Sequence, residues 1–356
     1  MARFDAARSV LERAIDERAF PGAIVEVGTD RDVLWRFATG ALAYDAGSPP
    51  VRDDTVYDLA SLTKVLSTAS LVMREIERGS MALDDVLPHL VPGCRNPALA
   101  GITIEDVLSH CAGFPAYRPF YQTLEGEAAF EAGICATPLE YAPRSQSIYS
   151  DLGFILLGIA LGRGVPLQQR FDTMWTQMAT GEDLQFLPPE KWRTRTAPTE
   201  RDPWRQRLLV GEVHDENAAA LGGVAGHAGL FGTAPAVGAY ARHLFQVLDG
   251  RTGAMAESSL RRFVRRRPGV PDSSRALGWD TMLPTSSCGT RMSPQAFGHT
   301  GFTGTSLWLD PASGVYVVFL TNRVHPTRDN NAIQRIRPAL HDAVMGDVRL
   351  PGRPKA

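Results

Sequence analysis

Residues 57–79 read YDLASLTKVLSTASLVMREIERG, and within this stretch a β-like beginning of the chain gives way to helix. From Leu59 onward the apolar residues recur at helical spacing, with Ser61 at the helix start and Lys64 one turn later. Side chains three apart on a helix share a face, so the hydroxyl and the amine project together. Alone the pair is ambiguous, because serine is a favoured helix cap and lysine a common surface residue. Read as chemistry, it is a nucleophile beside a proton acceptor, provided that burial or a neighbouring cation lowers the lysine pKa.

Upstream, residues 1–28 read as an amphipathic helix entering a strand. Residues 22–40, GAIVEVGTDRDVLWRFATG, place two β-rich runs either side of a polar turn, a hairpin pattern. Downstream to about residue 250 the periodicity is mainly helical, broken by Gly- and Pro-marked loops. Strand patterns return in ALGWDTML (276–283), TSLWLDP (305–311) and GVYVVFLTNR (314–323), before NAIQRIRPALHDAVM (331–345) closes as a helix. Strands at both ends with helices between predict an α/β chain of the α+β type, 1–356 as one domain. An antiparallel sheet lobe is expected from about 1–58 and 251–356, flanked by helices, and an inserted helical lobe from about 59–250.

The 356 residues are 44% hydrophobic, enough for a large core, and 37 basic against 39 acidic residues leave a net charge of −2. Such a balance offers no field for nucleic acid or an anionic membrane and favours small-molecule or peptide chemistry. RRFVRRR (261–267) reads as a solvated face rather than a polyanion site. LGFILLGIALG (152–162) is far shorter than the roughly 20 residues needed to span a bilayer and reads as a buried core helix. Cys94, Cys111, Cys135 and Cys288 lack the CxxC spacing of a metal site and are expected as reduced thiols. With no signal-peptide pattern at the N-terminus, a cytoplasmic protein is expected.

Two further stretches carry polar chemistry. In SIYSDLGFILLG (147–158), Tyr149 and Asp151 stand just before an apolar helix. They read either as a site wall or as a packed aromatic, Tyr149, followed by a helix cap at Ser150 or Asp151. In FGHTGFTGTSLWLDP (297–311), His299, Thr300 and Gly301 precede an alternating strand, and the glycine permits close backbone approach. The bland reading there is a tight loop with a surface histidine.

Taken in order, S-x-x-K near residue 60, Y-x-D near 150 and H-T-G near 300 resemble the serine β-lactamase and penicillin-binding-protein superfamily, specifically class C β-lactamase-related serine hydrolases. The resemblance runs nearly the length of the chain and implies a β-lactamase/transpeptidase-like fold. It implies Ser61 as acylated nucleophile, Lys64 as its proton partner, and Tyr149 as the group that relays protons, by phenolate or by a concerted shuttle. The oxyanion donors would be the backbone amides of Ser61 and Phe302. Asp151, His299, Thr300 and Gly301 would face substrate. The family usually has asparagine where this chain has Asp151 and lysine where it has His299. An ionised aspartate only accepts, and a histidine makes the local positive charge conditional on pH, so both departures count against an efficient penicillin-degrading enzyme.

Residues 197–234, APTERDPWRQRLLVGEVHDENAAALGGVAGHAGLFGTA, resemble a subgroup associated with trimming of cell-wall muropeptides. Glu200, His214, Asp215, Asn217 and His227 either line the substrate cleft or hold their own loop together. Their spacing matches no metal motif, and neither metal nor cofactor is expected. The sequence therefore predicts a metal-independent serine hydrolase acting through an acyl-enzyme on a small peptide or ester, a muropeptide amidase or D-alanyl peptidase-like enzyme. A promiscuous carboxylesterase, a weak β-lactamase and a non-catalytic peptide-binding relative are the alternatives.

Overall fold

The computed structural model describes residues 3–178, 181–251 and 255–348. Its centre is a six-stranded antiparallel sheet whose order across the molecule is 33–40, 22–28, 315–321, 306–310, 297–300 and 280–281. The first and last long strands are neighbours, with Ala23 opposite Thr321 and Val27 opposite Val317. Every residue of Gly22–Gly28 and of Val315–Thr321 is buried. Such strands read as continuous apolar runs because both faces are covered. ALGWDTML contributes less than its pattern suggests, since only Asp280–Thr281 pairs.

The terminal helices Asp5–Asp16 and Ile333–Asp347 cover one face, where Leu11, Trp308, Phe319 and Leu340 belong to one apolar cluster. The other face meets the helix Ala234–Leu248 and the large cluster that continues through Leu152–Gly162. This second helix is buried along nearly its whole length, as its uninterrupted apolar sequence requires. Gly238 is needed at the sheet crossing, because a Cβ there would collide with the carboxylate of the buried Glu26. That carboxylate accepts from Arg36 Nε at 2.8 Å, Arg242 Nη1 at 3.1 Å and the Tyr316 hydroxyl at 2.7 Å. Among the described residues no single helix is long and apolar enough to cross a membrane.

The expectation of four free thiols is corrected. Cys94 and Cys135 form a disulfide, with Cα atoms 5.0 Å apart, while Cys111 and Cys288 are free and buried. A pairing across 41 residues leaves no local spacing signal, and it removes the free-thiol argument for a reducing compartment.

Candidate active site

The strand Tyr57–Asp58 delivers the chain to a tight helical turn at Ala60–Leu62, followed by a wide π-helical turn at Lys64–Ala69 and regular helix from Ser70. The helix therefore does not start as plain α-helix at Ser61. Ala60 sits at φ 47°, a left-handed conformation that costs a non-glycine residue and persists only when its surroundings impose it. Here Asp58 Oδ1 accepts the Ala60 amide at 2.8 Å, and the Thr305 hydroxyl donates to the Leu59 carbonyl at 3.0 Å. Thr303 binds the Asp58 carbonyl in the same way at 2.7 Å. Gly301 has no room for a Cβ, which would clash with Thr305 and lie 2.6 Å from the Leu59 carbonyl. This close approach sets the turn after the strand Phe297–Thr300 against the turn that carries Ser61. Among the described residues no acceptor takes the amide of Ser61 or of Phe302, so both remain free to donate.

Lys64 is buried, unlike the surface lysine of the bland reading, and its ammonium meets three acceptors. Ser61 Oγ lies at 2.9 Å, Asp151 Oδ1 at 2.7 Å and the His227 carbonyl at 3.1 Å. The Tyr149 hydroxyl donates to Ser61 Oγ at 2.7 Å. Burial pulls the Lys64 pKa down, but the Asp151 carboxylate and the Tyr149 oxygen outweigh it, and the net shift is upward. For Tyr149, burial pushes up, Lys64 pulls down and Asp151 pushes up again, leaving the phenol above its ordinary value. Two hydrogen-bond acceptors and a carboxylate in ion-pair contact suit a fully protonated amine. The resting state is thus a lysine ammonium beside a neutral phenol. Asp151 stands at the N-cap position of the helix Leu152–Gly162, but its side chain makes no capping bond; of the two expected caps it is Ser150 whose Oγ accepts the Leu152 amide at 3.2 Å, while the Asp151 carboxylate serves Lys64.

Two imidazoles flank the Tyr149 ring. His299 lies with ring centroids 5.9 Å apart and holds the Thr300 carbonyl through Nδ1 at 2.8 Å. Burial, then the charge of Lys64, holds it well below the ordinary histidine range, so the expected pH-conditional charge at this position is corrected to a neutral ring. His110, which no sequence pattern singled out, packs at 4.7 Å, takes the Ser150 amide on Nδ1 at 3.1 Å and is likewise held neutral by burial. Arg275, also missed, brings its guanidinium 5.3 Å from the Tyr149 ring centre, and no described carboxylate pairs with it. Thr300 ends its strand opposite Ser306 and is half-buried.

Of the two readings of the polar segment 197–234, the hydrogen bonds support that of a network holding itself together. Asn217 is fully buried, accepting the Tyr121 amide at 2.9 Å and donating to the Arg118 carbonyl at 2.8 Å. His214 is buried against Glu200 at 2.9 Å and lies under the Phe302 ring at 5.6 Å. Asp215 caps the helix Glu216–Ala220 and holds His227 Nε2 at 2.7 Å. Burial pushes its carboxyl up, but His227 wins and keeps it well below the usual carboxylate range. The glycines of this segment have a packing reason. At Gly226 a Cβ would strike the Phe154 carbonyl and Gly158, so only glycine lets the loop lie on the helix Leu152–Gly162 and present the His227 carbonyl to Lys64.

The family model described as Beta-lactamase matches residues 7–341. This chain belongs to that family. Proteins of Salmonella gallinarum and Salmonella heidelberg, both provisionally named D-alanyl-D-alanine carboxypeptidase, are each 31% identical over 359 residues, covering 87% of this chain and 80% of the relative. A penicillin-binding-protein homologue from Caulobacter crescentus superposes with TM-score 0.76 at 21% identity, over 98% of both chains. EstCE1, described as a hydrolase with promiscuous acyltransferase activity, superposes at 0.75 with 20% identity, over 96% of this chain and 98% of its own. As a member of the beta-lactamase family, the chain is a serine hydrolase with the β-lactamase and penicillin-binding-protein fold.

Proposed function

We propose that the protein cleaves a peptide bond ahead of a terminal carboxylate in a cell-wall-derived peptide, through an acyl-enzyme on Ser61. The observation that carries this reading is the neutral Tyr149 phenol, 2.7 Å from Ser61 Oγ and beside an ammonium. An amine leaves only if it gains a proton, whereas an activated ester hardly needs one. As Ser61 Oγ bonds to the carbonyl carbon, its proton passes to the Tyr149 oxygen while the Tyr149 proton passes to the departing nitrogen. The carbon–nitrogen bond breaks, and Tyr149 and Lys64 end as they began. The Lys64 ammonium stabilises the partial phenolate in between. Water then attacks the acyl carbonyl, and the same relay returns the proton to Ser61. The free amides of Ser61 and Phe302 hold the oxyanion in both steps.

Arg275 supports the choice of an anionic peptide, being a cation over Tyr149 without a carboxylate of its own. The names of the Salmonella relatives point the same way. An esterase reading draws support from the likeness to EstCE1 in fold. The test measures turnover of a D-alanyl-D-alanine-ended peptide, its C-terminal amide and a short p-nitrophenyl ester by wild type, Ser61→Ala and Arg275→Ala. Loss of all turnover in Ser61→Ala, with a raised KM in Arg275→Ala for the free-carboxylate peptide alone, is the expected result. Turnover confined to the ester would overturn the peptide assignment.

A further inference from the structure

The Gly301–Phe302 peptide has two ends. Its N–H, on Phe302, is, like that of Ser61, an amide for which no described acceptor exists. Its carbonyl, on Gly301, points the opposite way in this trans peptide and accepts from the guanidinium of Arg337 at 2.7 Å. The same Nη2 atom donates to the Thr305 carbonyl at 2.9 Å. Arg337 belongs to the closing helix Ile333–Asp347 and is buried beneath the turn, with Nε finding no acceptor. No carboxylate among the described residues pairs with it.

A buried cation without a counter-charge is costly, and a structural need for two carbonyl partners would be met more cheaply by a neutral amide. The carbonyls do not even depend on Arg337, since Gly301 O also accepts the Gly304 amide at 3.1 Å and Thr305 O the Gly301 amide at 2.7 Å. The arginine adds positive charge at the back of one peptide unit. Donation to an amide oxygen polarises the whole unit and makes its N–H a stronger donor, an effect magnified where water is excluded. We infer that Arg337 is a positioning residue for the oxyanion hole, polarising the Gly301–Phe302 peptide from behind so that the missing counter-charge is supplied by the oxyanion of the transition state. The inference rests on the reading above that the Phe302 amide binds the oxyanion.

The test compares Arg337→Met, Arg337→Gln and Arg337→Lys with wild type. It uses p-nitrophenyl butyrate for turnover and phenylboronic acid as a probe that becomes tetrahedral and anionic when bonded to a serine oxygen. Arg337→Met and Arg337→Gln should lower kcat by about 10- to 100-fold, less than the 10²- to 10³-fold typical of deleting an oxyanion donor outright, with KM nearly unchanged. Inhibition by the boronate should weaken by the same factor as kcat/KM, and Arg337→Lys should recover most of both. A merely structural role would move the melting temperature without this parallel. If Arg337→Met does not melt cooperatively, the comparison of Gln with Lys decides, since both keep a donor and only one keeps the charge. Equal values for those two, or wild-type kcat and boronate inhibition in the neutral variants, overturn the inference. Ser61→Ala separates the two claims: if it keeps turnover and boronate binding, the site reading itself fails. If it loses both while the neutral Arg337 variants match wild type, only the role of Arg337 falls.

Discussion

Lys64 is held as an ammonium by a residue outside its own helix. Asp151 at 2.7 Å raises both the lysine and the neighbouring phenol, and asparagine at that position would leave the lysine to its burial. Removing a negative charge favours the deprotonated form of both groups, so Asp151→Asn should move the alkaline limb of the pH profile of kcat/KM to lower pH. A profile whose limb stays in place would show that the carboxylate is not coupled to the reacting pair. Tyr149→Phe deletes one hydroxyl and keeps a ring packed between His110 and His299. Its melting temperature should stay nearly constant while kcat/KM on a peptide falls by about 10² to 10⁴. An activated ester should suffer less, because its leaving group needs no proton. Near-wild-type rates on both substrates would reduce Tyr149 to a packed aromatic. At this scale Ser61, Lys64 and Tyr149 were legible from motif order, whereas His110 and Arg275 were not. Each of those two is an isolated polar residue whose partner lies far along the chain.

Among the elements, the loop 197–234 and the turn after residue 300 act as one clamp. Arg323 donates to the Phe302 carbonyl at 2.8 Å and lies 4.4 Å from its ring centre, while Glu200 ties His214 and Arg328 together behind it. Burial alone would raise the Glu200 pKa, but His214 and Arg328 bring it down to about 2. A carboxyl lower in the folded than in the unfolded chain, where it is near 4.3, adds stability that is complete above the unfolded value and lost as pH falls through the folded one. Glu200→Gln should therefore cost about 1–3 kcal/mol at neutral pH and flatten the fall of melting temperature between about pH 4.5 and 2. A parallel acid profile in the variant would dismiss this carboxyl as the source. The Cys94–Cys135 bond ties the loop before residue 97 to the helix Glu127–Ala136. On the chain-entropy view a loop of this length is worth up to about 4 kcal/mol. Thiol titration of the denatured, unreduced protein should find only Cys111 and Cys288, and reductant should lower the melting temperature. Four reactive thiols would contradict the bond.

For the molecule as a whole, the two ends of the chain build one sheet and one outer layer. Helix Ile333–Asp347 lies on Asp5–Asp16, and Ile336, Leu340 and Val344 are buried beneath it. A chain ending before Ile333 should lose the cooperative melt seen by circular dichroism, because the outer sheet face would be stripped of half its cover. Retained two-state melting would show that the closing helix is an accessory. The sequence by itself determined what depends on near neighbours: the hairpin of residues 22–40, the buried helix 152–162 and the Ser61–Lys64 contact three residues apart. It also announced the family through three short motifs in order. Only the tertiary structure decided that Lys64 holds a proton, that His299 does not, that Cys94 and Cys135 bond, and that Arg337 reaches the peptide behind Phe302. Periodicity reports which face of an element is buried. The charge state of a group depends on its burial and on what the rest of the chain brings within a few ångströms, and local spacing carries neither.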